Sequence, residues 1–390
     1  MKSKRFGWCV ALVAIAVMSQ VVVPVEAQED NRYFDQVSYG YWTNANHWDT
    51  GVVPATTSKV YIGSISTTCI VDTAGQQCSR LYLGNGSDTI SQLDLTGGGL
   101  TINYGNADWS FFAGYSATGI LNQTGGTLDA LNVNFRIGAL STGVGTVNFS
   151  GGTLANVNSI KCGDSGHGTI NVSDGVFGPF ASASYVGINN VGIVDISDGT
   201  WDNGDNSMNI GDQAGGTGTV NVTGGAITNM ATIYVGNYGR GTLNVSGAAV
   251  VDCVRIYPGF RADATSIGEF SISGSAATFN VEQFRGSNPG TATLRLTPDA
   301  TGITPINVFY DGADGNSGKA WVTTVALVVD FSNYDSTEDL IIMTCDTAFT
   351  GPFASTTWLP EGRTATVTES GGVVRVTDIS GPLGTLISVR

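Results

Sequence analysis

Hydrophobic and polar residues alternate in short bursts along most of the chain, and the bursts recur. Gly-Thr-Val-Asn-Phe-Ser-Gly-Gly at 145–152 returns as Gly-Thr-Ile-Asn-Val-Ser-Asp-Gly at 168–175, as Gly-Thr-Val-Asn-Val-Thr-Gly-Gly at 218–225 and as Gly-Thr-Leu-Asn-Val-Ser-Gly at 241–247. Weaker copies lie near Leu93–Gly98, Leu121–Gly126, Val194–Gly199 and Phe270–Gly274. One parity of each burst reads Leu93/Leu95, Leu121/Gln123, Val147/Phe149, Ile170/Val172, Val194/Ile196, Val220/Val222, Leu243/Val245 and Phe270/Ile272, so only Gln123 departs from apolar character. The other parity is Asp94, Asn122, Asn148, Asn171, Asp195, Asn221, Asn244 and Ser271. Period-two alternation of this kind predicts strands with one buried face.

Two out-of-phase turn columns punctuate the bursts. The first is Gly97, Gly125, Gly151, Asp174, Asp198, Gly224, Gly247 and Gly274, spaced about 25 residues apart on average. The second is Gly84, Gly114, Gly138, Gly163, Gly187, Gly211, Gly236, Gly259 and Gly286. Three residues past the first corner runs a further apolar column, from Leu100 and Leu128 to Ile227 and Val250. A 25-residue unit with two fixed corners and two or three short strands cannot bury its own apolar face. Stacked units share one core, which predicts an all-β parallel β-helix, or β-solenoid. Nine coils at about 4.8 Å each would make a rod roughly 40 Å long. A β-propeller blade needs about 40 residues, so the shorter unit argues against that fold.

Composition sharpens this reading. The 390 residues include 54 glycines, 10 prolines and only 2 histidines, with 32 acidic against 17 basic residues. The glycines are not spaced every third residue, which excludes collagen. The net charge of −15 opposes a nucleic-acid partner. At 42% hydrophobic content the chain is not of disordered type. Lys2, Lys4 and Arg5, the apolar run Trp8–Met18 and Val25-Glu26-Ala27 predict a secretory signal peptide over 1–27. The expected organisation is therefore a signal peptide at 1–27, an entry or cap module at 28–79, solenoid repeats at 80–297 and a C-terminal β module at 298–390. No later stretch is apolar enough to span a bilayer as a helix. Export brings an oxidising compartment, and Cys69 and Cys78, flanking a glycine-containing turn, are a candidate disulfide. Cys162 and Cys253 read as small buried thiols.

The repeat phrase resembles repeats of bacterial secreted β-helix proteins of the autotransporter-passenger type. Trp42, Asn46, Trp48, Gly51 and Pro54 resemble the entry module often found before such repeats. Asp339–Thr344, Phe349–Phe353 and Gly372–Val376 resemble the terminal β module. The resemblance implies a right-handed helix and extracellular deployment. It departs from a complete autotransporter in ending at Arg390 without a membrane barrel.

Three sets of outward residues carry candidate chemistry. The Asn/Asp parity contains glycosylation sequons at Asn122, Asn148, Asn171, Asn221 and Asn244, and reads alternatively as an amide ladder between coils. A second column, two residues before the second corner, is Tyr82, Phe112, Arg136, Lys161, Tyr185, Asn209, Tyr234, Tyr257 and Phe284. Its rings suit either inter-strand stacking or a glycan-binding face, with Arg136 and Lys161 placed to meet acidic sugars. Acidic residues gather at Asp174, Asp198, Asp202 and Asp205, as Ca²⁺ ligands or as turn formers. No other cofactor is implied. Neither histidine has a triad context and no G-x-S-x-G element occurs. The sequence thus points to a secreted, non-enzymatic solenoid, structural or adhesive at the cell surface, with extracellular polysaccharide or a cell-surface component as partner. A polysaccharide lyase or hydrolase of β-helix fold is the competing expectation.

Overall fold

A computed structural model describes residues 29–381, apart from 87–88, 105–106, 262–264, 287–290 and 313–314. The predicted signal peptide lies outside the described residues. The chain winds into a parallel β-solenoid whose strands form a 13-stranded and a 20-stranded sheet. The repeat bursts supply the 13-stranded sheet: Thr118–Gln123, Val144–Phe149, His167–Val172, Val191–Ile196, Thr217–Val222 and Arg240–Ser246 stack parallel and in register. Leu121, Val147, Ile170, Val194, Val220 and Leu243 stand on one another and are buried. Burial of such a side chain contributes about 1.5–3 kcal/mol. Gln123, the one polar inward residue, is buried, and its Nε2 donates to the Thr153 carbonyl at 2.9 Å.

Thirteen strands stacked in one sheet make about twelve turns and a rod roughly 58 Å long at ~4.8 Å per step. The expected nine coils were too few because coiling continues where the Gly-Thr-Asn phrase is missing. Thr67–Val71 pairs with Ile90–Leu95, Val325–Asp330 with Thr291–Thr297, and Ser355–Leu359 with Val325–Asp330. Thr67–Val71, Val325–Asp330 and Ser355–Leu359 stack in the sheet without that phrase.

A third corner bends the 20-stranded sheet into two faces. Long strands such as Thr127–Ile137, Thr153–Cys162, Thr200–Ile210 and Ala226–Val235 carry it in their middle, with register shifts there in the pairing of neighbouring coils. Asn132, Asn156, Asp205 and Asn229 have φ of 68°, 54°, 59° and 49°. Asn and Asp adopt this left-handed conformation at lower cost than other residues with a Cβ, because their short polar side chains hydrogen-bond locally. The cross-section therefore has three faces: the amide face of the 13-stranded sheet, a middle face after the first corner, and a ring face carrying the aromatic column.

Both ends are closed by dedicated structure. At the N-terminal end Phe34, Trp42 and Trp48 are buried in edge-to-face contact, and Trp48 Nε1 donates to the Trp42 carbonyl at 2.8 Å. At the other end Thr364–Ser370 and Val373–Ser380 form an antiparallel hairpin that pairs with Leu340–Cys345.

The disulfide expected between Cys69 and Cys78 is not formed; both are free, buried thiols. Cys69 lies on the amide face in register with Leu93, and Cys78 lies on the middle face in register with Ile102. Each occupies an apolar rung of a different sheet. Cys162, Cys253 and Cys345 are also free and buried. Burial pushes the Cys162 and Cys345 thiols up to about 12.

Candidate ligand-binding surface

The amide face is tied together by side-chain bonds from coil to coil. Asn122 Nδ2 donates to Asp94 Oδ1 at 2.8 Å, Asn148 to Asn122 at 2.7 Å and Asn171 to Asn148 at 2.7 Å. The pattern restarts at Asp195, which accepts from Asn221 at 2.6 Å, and Asn221 accepts from Asn244 at 2.7 Å. In-register parallel stacking places like residues one strand spacing apart, so each amide donates to the coil before it, and Asn122, Asn148 and Asn221 also accept from the coil after. The sequon asparagines on this face are rungs of that ladder.

The aromatic column is longer than its sequence signature. Tyr33, Tyr61, Tyr82, Phe112, Arg136, Lys161, Tyr185, Asn209, Tyr234 and Tyr257 occupy successive rungs in register. Further along, Arg285 aligns with Trp321, the guanidinium carbon 5.7 Å from the ring centre. Phe284, expected in this column, instead aligns with Ile256 and is buried in the core. Tyr33 and Tyr61 were missed because they precede the glycine-marked repeats. Their signal was the alternation in Lys59-Val-Tyr-Ile62.

The first third of the column is a continuous ring stack, partly exposed at Tyr33 and Tyr61 and buried at Tyr82 and Phe112. Tyr33–Tyr61, Tyr61–Tyr82 and Tyr82–Phe112 have ring centroids 4.9, 4.7 and 4.8 Å apart at small interplanar angles. Tyr115 lies edge-on against Tyr82 and Phe112 at 5.1 and 5.0 Å. Tyr82 and Phe112 are buried, Phe112 fully, and present no ring to solvent. This corrects the expectation of an exposed aromatic row there.

The central rungs are ion-paired. Arg136 Nε donates to Asp164 Oδ2 at 2.6 Å, and its guanidinium lies 5.0 Å from the Trp109 ring. Lys161 pairs with Asp108. The bonds from Lys161 and Asn134 hold the Asp108 carboxyl below its usual range. Both cations are thus already matched by carboxylates of this chain. Tyr185 is half-buried, and desolvation raises its hydroxyl pKa.

Beyond Asn209 the column is again partly exposed. Tyr234 and Tyr257 stack at 5.6 Å, and Phe260, from the loop after the second corner, lies 4.4 Å from Tyr234 and 5.4 Å from Tyr257. Arg261 is exposed, with its guanidinium 4.8 Å from Phe260 and 5.0 Å from Tyr238. Tyr234, Tyr257, Tyr238 and Phe260 all retain solvent-accessible surface. Phe260 belongs to a loop of variable length, so no periodic signal marked it.

The four acidic residues do not form one group. Asp174 and Asp198 sit at the first corner, where Asp174 Oδ1 accepts from the Gly175 N–H at 2.7 Å. Asp202 lies just before the third corner, and Asp205 at it. Asp202 accepts from the Gly204 N–H at 2.9 Å and from Asn229 Nδ2 at 3.0 Å. Among the described residues no three Asp, Glu, His or Cys side chains are gathered as a cation site would require. No helix among the described residues is long and apolar enough to cross a membrane. Compared with known proteins, the chain matches no family model, no curated protein and no solved structure.

Proposed function

We propose that this chain is a secreted, non-catalytic β-solenoid, structural or adhesive at the cell exterior, which holds an extracellular polysaccharide on the open end of its ring face. One observation carries the reading. The ring column is sealed by Tyr115 at Tyr82 and Phe112, but at Tyr234, Tyr257 and Phe260 it becomes a cluster of three partly exposed rings flanked by the exposed Arg261. Aromatic faces carry partial negative charge and meet the polarised C–H groups of a pyranose face. Arg261 at the edge of the cluster supplies donors for sugar oxygens. The rod itself, with its in-register core and capped ends, supplies a rigid support. The signal-peptide pattern of residues 1–27 and the repeat phrase support export. Calcium is not needed for this reading; Asp174 and Asp202 accept from backbone and amide donors of this chain.

A glycan array probed with the purified protein tests the proposal. Saturable binding to one or more polysaccharides is expected, weakened at least tenfold in Tyr234→Ala/Tyr257→Ala, which corresponds to about 1.4 kcal/mol. Reducing-sugar or unsaturated-product release that Asp202→Ala abolishes would overturn the non-catalytic reading. Binding unchanged by the double substitution would remove the ring face from it.

A further inference from the structure

From Arg32 to Lys161 every lysine and arginine pairs with a carboxylate of this chain. Around the partly exposed rings that pairing stops. Arg261 and Arg285 are exposed, and neither has a carboxylate partner among the described residues. Arg261 Nε donates to Asn237 Oδ1 at 3.4 Å, and Asn237 Nδ2 donates to Asp212 Oδ1 at 3.0 Å, so an amide stands between this guanidinium and that carboxylate. Arg285 comes one residue past the Ile256–Phe284 pair, which sets it in the ring column on the coil after Tyr257. Desolvation raises the Tyr257 hydroxyl pKa, and the charges of Arg255 and Arg285 beside it oppose that rise. Lys319, two residues before Trp321 on the same strand, donates to the Gly315 carbonyl, a neutral partner. Cations matched only by neutral groups thus stand beside the rings of a chain whose net charge is −15.

We propose that the ring patch takes an acidic polysaccharide, a polyuronate, with sugar faces on Tyr234, Tyr257 and Phe260 and carboxylates met by Arg261 and Arg285. The proposal rests on the ring-face reading above and names its ligand class. A uronate pyranose keeps an apolar C–H face for an aromatic ring and carries its carboxylate at the edge of the sugar. The planar guanidinium fork matches a carboxylate with two parallel N–H···O bonds. The guanidinium of Arg261 lies 4.8 Å from Phe260 and 5.0 Å from Tyr238, and that of Arg285 lies 5.7 Å from Trp321. Cation–π attraction of this kind restrains both groups and leaves their charge uncancelled. Tyr234, Tyr257 and Arg285 stand on successive coils, so they span roughly 10 Å along the rod, at ~4.8 Å per step. That is about the length of two sugar units, so a stacked sugar and a carboxylate on the next can be met together. A neutral glycan would gain the ring contacts alone. The acidic remainder of the rod repels an anionic chain, which confines it to this patch.

Calorimetric titration of the purified protein with hexagalacturonate, hexamannuronate, their methyl esters, cellohexaose and sulfated dextran tests this. At least one of the two acids is expected to bind saturably, and its methyl ester, the same sugar without the charge, at least tenfold more weakly. Arg261→Gln/Arg285→Gln changes two exposed side chains, so it should keep the β-sheet circular dichroism of the parent and lose the preference for acid over ester. Arg261→Lys/Arg285→Lys keeps the charge without the fork and should fall between the two. The proposal is overturned if neither acid binds, if the esters bind as tightly as the acids, or if the folded glutamine variant binds the acid unchanged. Tighter binding of sulfated dextran than of either acid would assign the cations to sulfate esters and overturn the polyuronate. Binding of cellohexaose or an ester as tight as that of the acids, and lost in Tyr234→Ala/Tyr257→Ala, would overturn the selection by charge and leave the ring-face reading standing. Acid binding that survives the tyrosine substitutions and is lost in the arginine ones would overturn the ring-face reading and leave the ligand class standing.

Discussion

Asp49 closes the free edge of the first strand through Tyr33. The Tyr33 N–H donates to Asp49 Oδ1 at 3.0 Å, and the Asp49 N–H donates to the Tyr33 carbonyl at 3.0 Å. A few residues earlier, His47 Nδ1 lies 3.2 Å from the Tyr41 N–H nitrogen on the first strand of the amide face. The segment around His47 and Asp49 thus occupies backbone groups that would otherwise template another strand.

Replacing Asp49 by Ala removes an acceptor from an exposed strand-edge N–H, at a cost of about 0.5–1.5 kcal/mol. The larger consequence is an exposed strand edge. Asp49→Ala is expected to show more concentration-dependent assembly than the parent in light scattering while keeping its β-sheet circular dichroism. Asp49→Asn, which keeps the acceptor, should stay closer to the parent.

The amide ladder predicts a direction-dependent cost. Asn148 donates to Asn122 and accepts from Asn171. Asn148→Ala breaks both bonds and is expected to lower stability by roughly 1–3 kcal/mol at about 0.5–1.5 kcal/mol per bond. Asn148→Asp keeps the acceptor but sets a carboxylate against the Asn122 oxygen, so urea denaturation should show a loss for it as well. Asn244→Ala, at the end of its run, loses only the bond to Asn221 and should cost less.

The buried thiols make a chemical prediction. All five described cysteines are free, and burial pushes their thiols well above the ordinary cysteine value, to about 12 at Cys162. Only the thiolate reacts. Iodoacetamide at about pH 8 should therefore leave these cysteines unmodified in the folded protein. Without reductant, unfolding should expose all five to alkylation, including Cys69 and Cys78, as read by peptide mass. Failure of those two to react until reductant is added would restore the disulfide.

Asp299 joins adjacent coils at a corner. Its Oδ1 accepts from the Thr301 hydroxyl at 2.6 Å and from the Thr301 N–H at 2.8 Å, and its Oδ2 accepts from the Ser275 N–H at 3.1 Å. The bonds from Thr301, then those from Ser275, lower its pKa to about 2. The unfolded value is near 3.9. A depressed carboxyl stabilises the fold above the unfolded pKa and loses that contribution as pH falls through the folded one. The stability difference between the parent and Asp299→Asn should therefore be constant above about pH 5 and shrink between about pH 4 and pH 2. Urea titrations across that range measure it.

Most of the interior was legible because it is periodic. The inward parity from Leu93 to Ile272 was assigned from alternation, and those side chains are buried. The ring column was legible from Tyr82 to Tyr257 for the same reason. Phe284 was misplaced because a one-residue change of spacing before a corner reverses the face a strand residue points to. The third corner was overlooked although Asn132, Asn156, Asp205 and Asn229 mark it, since their spacing from the apolar column varies by about two residues from coil to coil. The coils beyond the glycine repeat went uncounted because their turns use other residues.

The sequence by itself determined which side chains face inward, where the glycine corners recur, and that the coils must stack, because these follow from local alternation and from the need of each coil to bury its apolar face. Only the tertiary structure decided which outward residues are available to a partner. Tyr82 and Phe112 are covered by Tyr115, Arg136 is neutralised by Asp164 from the next coil, and Tyr234 is left partly exposed. These outcomes depend on contacts between coils, as between Tyr82 and Tyr115 or Arg136 and Asp164, and on the paths of loops between strands, and neither is encoded in the alternation that shapes each strand.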